Sequence, residues 1–276
     1  MVFTRRQFLG ATAVASTAAV AGCLDDVPLM GGQPDFASWI PADTVLDSGG
    51  STVTFFDLRA LRDWPDDPLP PIDDDTMFGV LGIEEEDIDG IVDIMTDDGI
   101  SSITLGSFDL AEFEEAMEDQ GGELVDDYEG FDIYEWGGTE LAIGEEALLL
   151  MGEYEDYIDV FIGNEPQVAD EDDIWAEGID SVGSYEMVNL EVFGDNTFYD
   201  YQEALELLAA GVKSDGDEYF SEGYYFFADA DDAEAAFDEI EAELDGDGNL
   251  EDYALEIDGA TIAAEATFAE FDVPRF

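Results

Sequence analysis

Apolar and polar residues along this chain fall into short alternating runs divided by Gly, Pro and Asp, with longer helically spaced stretches between them. Ser51–Phe56, rich in β-branched and aromatic residues, predicts a strand. Asp57–Trp64 and about Asp74–Leu81 predict short helices either side of the Pro-rich turn Trp64–Pro71. Ile88–Met95 and Ile100–Ser107 face each other across Thr96-Asp97-Asp98-Gly99, a hairpin signal. Asp109-Leu110-Ala111-Glu112 has capping-box spacing and opens a helix to about Gln120 that buries Phe113, Ala116 and Met117. Strand-like pieces follow at Glu123–Tyr128, Phe131–Trp136, Glu140–Ile143 and Ala147–Met151. Glu153–Ile162 then repeats Tyr154, Tyr157, Ile158 and Phe161 at helical spacing.

Gly163–Gly183 carries Pro166 and the acidic run Asp170–Asp173, and reads as an irregular joint. Beyond it the plan recurs. Tyr185–Phe193 predicts a strand, Thr197–Ala210 a helix, Glu218–Phe227 a strand, and Asp231 the cap of a helix reaching Leu244. A hairpin of Tyr253–Ile257 and Thr261–Phe268 closes the chain across Asp258-Gly259. Leu105–Tyr134 and Phe227–Ile257 each run strand end, acid cap, helix around a Phe, Gly turn, strand, an internal repeat. The expected class is α+β: two tandem, duplicated units of antiparallel sheet, split βαβ-like, with helices packed on one face. The expected division is 1–22 signal, 23–38 Cys and linker, 39–165 first unit, 166–183 joint and 184–276 second unit.

The first residues follow a different pattern. Thr4-Arg5-Arg6-Gln7-Phe8-Leu9 leads into an uncharged run of small and apolar residues that ends in Val20-Ala21-Gly22-Cys23. Paired Arg5 and Arg6 followed by Phe8 and Leu9 match the export signal read by the twin-arginine translocase, and Cys23 after small residues resembles a lipobox. Phe8–Gly22 falls well short of the roughly 20 residues a membrane-spanning helix needs. The segment therefore addresses and anchors.

Charge changes the picture most. The chain has 73 acidic and 6 basic residues, a net charge of −67, yet keeps 46% apolar residues with 19 Phe and 11 Tyr. That core content excludes disorder as the meaning of the acid. Molar salt makes such a surface tolerable, because the Debye length falls from about 10 Å at 0.1 M to about 3 Å at 1 M. Nucleic acid and anionic lipid headgroups are repelled as partners. The chain has no His and one Cys. This removes intrachain disulfides, Ser/His and Cys/His nucleophile pairs, and thiolate or imidazole metal sites.

Candidate chemistry is sparse. Asp245, Asp247, Asn249, Glu251 and Glu256 fall at places one, three, five, seven and twelve of a calcium-loop count, but Leu250 stands where the loop's sharp turn needs Gly and Glu256 falls in a predicted strand, so the expected reading is a Gly-rich turn with no cofactor and calcium is the alternative. Acid pairs that could serve a carboxylate-dependent hydrolase are too many for spacing to select one. Arg59 and Arg62 read as local ion-pair partners, with anion binding the sharper and rarer alternative, and Lys213 as a charge set against a helix end. Rings at Tyr219-Phe220 and Tyr224-Tyr225-Phe226-Phe227 point to both faces of a strand. They form either a core covered on both sides or an exposed sugar-stacking or partner platform.

The acid surface, single Lys and twin-arginine signal together resemble the secreted lipoproteins of extremely halophilic archaea. The stretch Tyr128-Glu129-Gly130-Phe131-Asp132-Ile133-Tyr134 is similar to one in secreted proteins built of repeated strand-helix-strand units, which have no established role. The resemblance implies a lipid on Cys23, export, and tethering at the outer face of the cell membrane. It implies no activity. The expected function is non-catalytic binding or surface structure, with the ligand or protein partner open. The alternatives are a transporter's solute-binding lipoprotein, which calls for two parallel α/β lobes, and a carboxylate-dependent hydrolase.

Overall fold

Alternation along the β-branched and aromatic runs becomes a single sheet. The computed structural model describes residues 35–64, 76–150, 154–194, 200–215, 218–246 and 250–268, all within one unit, Gln33–Phe276. A 3₁₀ turn at Phe36–Trp39 leads into α1 (Ala42–Leu46), β1 (Ser51–Asp57), α2 (Leu58–Leu61), α3 (Met77–Val80), β2 (Ile88–Thr96) and β3 (Gly99–Gly106). Next come α4 (Leu110–Asp119), β4 (Glu123–Tyr128), β5 (Phe131–Trp136), β6 (Thr139–Ile143), β7 (Ala147–Leu150), α5 (Tyr154–Phe161), α6 (Val168–Glu171) and α7 (Asp173–Val182). The chain continues through β8 (Met187–Val192), a 3₁₀ turn at Asp200–Glu203, β9 (Leu205–Asp215), β10 (Glu218–Phe227), α8 (Ala230–Gly246), β11 (Leu250–Asp258) and β12 (Thr261–Phe268).

The twelve strands lie in the order β11-β12-β10-β9-β8-β1-β2-β3-β7-β6-β5-β4. Every neighbouring pair is antiparallel. The class is α+β with a large antiparallel sheet. The sheet runs unbroken across the expected boundary between units, since β1 pairs with β2 on one side and β8 on the other. Two parallel lobes, as the solute-binding alternative called for, are not what the described residues form.

Helices cover both faces, which corrects the expectation of one. On the front face Val53, Phe55, Val92, Ile94, Val188 and Leu190 meet Trp39, Tyr157, Val168, Trp175 and Val182. Trp39 stacks on Phe161 with centroids 4.1 Å apart. On the back face two separate cores form. Phe56, Leu61, Phe113, Met117 and Tyr134 make one under α2 and α4, and Phe227, Ala236, Ile240 and Ile262 make the other under α8. The sidedness follows from crossovers. The segment α5–α7 carries the chain from β7 over β3, β2 and β1 to β8 on the front. On the back α4 carries it from β3 to the edge strand β4, and α8 from β10 to the other edge, β11.

Two further expectations are corrected. The stretch read as an irregular joint forms α6 and α7 and buries Val168, Trp175 and Val182. Asp172 caps α7 by accepting from the backbone N–H groups of Ile174 and Trp175. Residues 205–210 of the expected helix Thr197–Ala210 are strand. Ala, Leu and Glu favour helix locally, but Leu207 and Ala209 face the front core while Leu208 faces the α8 core, so pairing and burial on both faces override propensity. The cap of α8 is Asp229 and not Asp231, since Asp229 accepts from the N–H groups of Asp231 and Asp232 at 2.9 and 3.0 Å. Asp109 caps α4 as expected.

Candidate functional site

Arg5, Arg6, Phe8, Leu9 and Cys23, expected from the sequence to serve export and lipidation, lie outside the described residues, as do Asp247 and Asn249 of the calcium-loop count. The rest of that set does not converge. Asp245, in the last turn of α8, accepts a hydrogen bond from the Tyr253 hydroxyl at 2.6 Å on the back side of β11. Glu256 projects from the front of the same strand, because it pairs with Ala263 whereas back-facing Leu255 pairs with Ala264. Glu251 sits at the β11 bulge between Leu250 and Asp252. Arg59 and Arg62 are locally paired, with Asp89 and Glu85, each at 3.3 Å.

The aromatic run of β10 is covered on both faces. Phe226 faces the front core, and Tyr225 and Phe227 face the α8 core. At the far end of β10 the front face gathers unlike groups. Tyr185 lies flat on β9 over Gly211, where a Cβ would sit 2.4 Å from the ring, so only glycine admits it. Lys213 is no helix-end charge: its Nζ stands over the Tyr185 and Phe220 rings at 4.8 and 5.1 Å. Tyr224 donates to Glu222 at 2.8 Å, and Tyr185 is also bonded to Glu222. Burial and that bond push the Tyr224 hydroxyl up to about 12. Directly across from Glu222 on β12 is Glu265. Burial first, then the charges of Glu222 and Glu256, raise its carboxyl above the ordinary range. Glu222 and Glu265 are one of several acid pairs in cross-strand register, as Asp127 with Asp132 and Glu135 with Glu140 also are, and they lie on a half-open sheet surface.

The centre of the back face is different in kind. Ser102, Asp93, Thr54 and Asn189 are in register on the four consecutive strands β3, β2, β1 and β8. Thr52 and Glu191 pair in the next row, followed outward by Met95 and Ile100. All six polar residues are half-buried, and Met95 and Ile100 are 47% and 53% exposed. Thr54 donates to the Asn189 Oδ1 at 3.2 Å; Asn189 is bonded to Glu191, and Ser102 to Asp93. Burial raises the Asp93 and Glu191 carboxyls, and these bonds partly offset the rise. The ladder lies between the α2–α4 core and the α8 core, a gap in the back helix layer among the described residues. Alternation of Thr and Ser with Val and Ile made these positions legible as strand. Their alignment into one row needed the sheet order.

On the front, a cleft of about 510 Å³ opens beside the β2–β3 hairpin, lined by Asp43, Asp47, Asp98, Asp156 and Tyr157, whose hydroxyl donates to Ser101 at 2.7 Å. No group of acids among the described residues is placed to hold a metal ion. Among the described residues, no helix is long and apolar enough to cross a membrane.

No family model and no curated protein matches the chain. The fold is similar to that of TP0453 in several crystal forms. Form III aligns with a TM-score of 0.51 at 12% identity, over 83% of this chain and 93% of that one. Form I aligns with a TM-score of 0.52 at 10% identity, over 83% and 93%. At such identity the likeness is one of fold.

Proposed function

We propose that this chain is an exported, non-catalytic binding protein, held at the outer face of the cell membrane by a lipid on Cys23, whose binding surface is the back-face ladder. The supporting observation is the ladder itself. Whereas the exposed face of α4 is acidic, with Glu112, Glu114, Glu115, Glu118 and Asp119, this half-buried surface sets Thr52, Thr54, Ser102 and Asn189 beside only two carboxylates, Asp93 and Glu191, linked in part by their own hydrogen bonds. Arg5, Arg6, Phe8 and Leu9 supply the translocase address, and the short apolar run before Cys23 is too brief to span. An acid surface around an aromatic core suits brine.

Duplication of the sheet belongs to this reading. The segments β3–α4–β4 and β10–α8–β11 each cross the back face behind an acidic cap, Asp109 and Asp229, and each lands on an outer edge. They differ in the strands enclosed, β7, β6 and β5 against β12 alone.

Tethering is tested by Cys23→Ser. The variant is expected in the soluble extracellular fraction under molar salt while the parent stays with the membrane. Equal partitioning of both would mean that a lipid on this sulfur is not the anchor.

A further inference from the structure

We infer that the back-face ladder binds a neutral, hydroxyl-rich ligand, an uncharged oligosaccharide in chemical class, lying across strands β3, β2, β1 and β8. The inference rests on the ladder being the binding surface. Charge selects the class. With 73 acids against 6 basic residues the molecule repels anions, and it offers cations carboxylates over its whole surface, so neither needs a row of hydroxyl and amide groups. A neutral polyol does need one, since it is recognised by paired donors and acceptors at fixed positions. Thr54, Ser102 and Thr52 supply hydroxyls, Asn189 an amide, and Asp93 and Glu191 acceptors.

Geometry fits an elongated ligand. Four consecutive strands at about 4.8 Å spacing give a row about 14 Å long. Asn189 is held by Thr54 on its carbonyl oxygen and by Glu191 on its amide, so its orientation is set before a ligand arrives. The exposed side chains of Met95 and Ile100, themselves cross-strand partners, flank the row and suit the C–H face of a sugar ring.

The test uses the full lipidated chain, extracted from membranes in a sugar-free detergent at molar salt. It is titrated with maltohexaose, cellohexaose and mannohexaose, and with spermine as a cationic control. At least one neutral oligosaccharide is expected to raise the melting temperature and slow amide exchange in β1, β2 and β8. Thr54→Val with Asn189→Leu should weaken that binding about tenfold or more, as the loss of two neutral hydrogen bonds implies. Thr54→Val alone serves if the double variant does not fold. No response to any of the three sugars, or a response the variants leave unchanged, overturns the inference. Spermine binding that the variants abolish would overturn the ligand class while leaving the ladder a binding surface. Indifference of every probe to the variants would remove both.

Discussion

Glu265 shows how a single residue couples this molecule to pH. Its carboxyl is raised above the ordinary value of 4.5 by burial and by Glu222 and Glu256, so the folded state holds the proton more tightly than the unfolded chain does. The stabilisation is therefore fully present below about pH 4.5 and lost as pH rises through the raised value. Glu265→Gln should accordingly melt higher than the parent at pH 7 and show no advantage at pH 4, in molar salt. A variant no more stable at pH 7 would contradict this. Gly211→Ala tests the neighbouring contact. A Cβ set against the Tyr185 ring should cost about 1–3 kcal/mol in denaturant melts, the range for overpacking. At this scale the sequence revealed residue types and little of their company. Ion pairing of Arg59 and Arg62 was legible because acids surround any cation in this chain, although the partners themselves, Asp89 and Glu85, were not. The seat of Lys213 over Tyr185 and Phe220 was not, because it depends on the pairing of β9 with β10.

Elements were legible where local signals and tertiary demand agree. Asp109 with α4, the β2–β3 hairpin, and the turn at Glu129-Gly130, with φ of 49° and 92°, are readable because capping and left-handed turns are short-range physics. β9 was not, since its Ala, Leu and Glu favour helix until flanked by β8 and β10. Nor were α6 and α7, whose burial comes from their path over the front of the sheet. Which face each helix takes is set by crossover direction, which periodicity does not encode. Proline tests the strand assignment. Ala209→Pro, in the sheet interior, should abolish folding by removing a ladder bond from a central strand. Val125→Pro, at the bulge of edge strand β4, should melt near the parent. Circular dichroism of both variants distinguishes the two. Equal tolerance would argue that Leu205–Asp215 is not held between neighbours.

For the whole molecule, the charge and the proposed lipid tether each make a prediction. Diluting the protein from molar salt to about 0.1 M lengthens the Debye length from about 3 Å to about 10 Å and lets the acids repel across the surface. The far-UV circular dichroism signal of the sheet should be lost cooperatively, and a native spectrum on dilution would contradict the role given to charge. The ladder left between the back-face cores among the described residues and the acid-rich composition suit the proposed placement of this domain in brine outside the cell. That placement is the central claim, and intact-mass analysis of the chain extracted from the membrane fraction tests it most directly. The account predicts a polypeptide beginning at Cys23 and heavier than its sequence by the mass of a lipid. A chain still bearing Met1, with an unmodified Cys23 thiol, would contradict it.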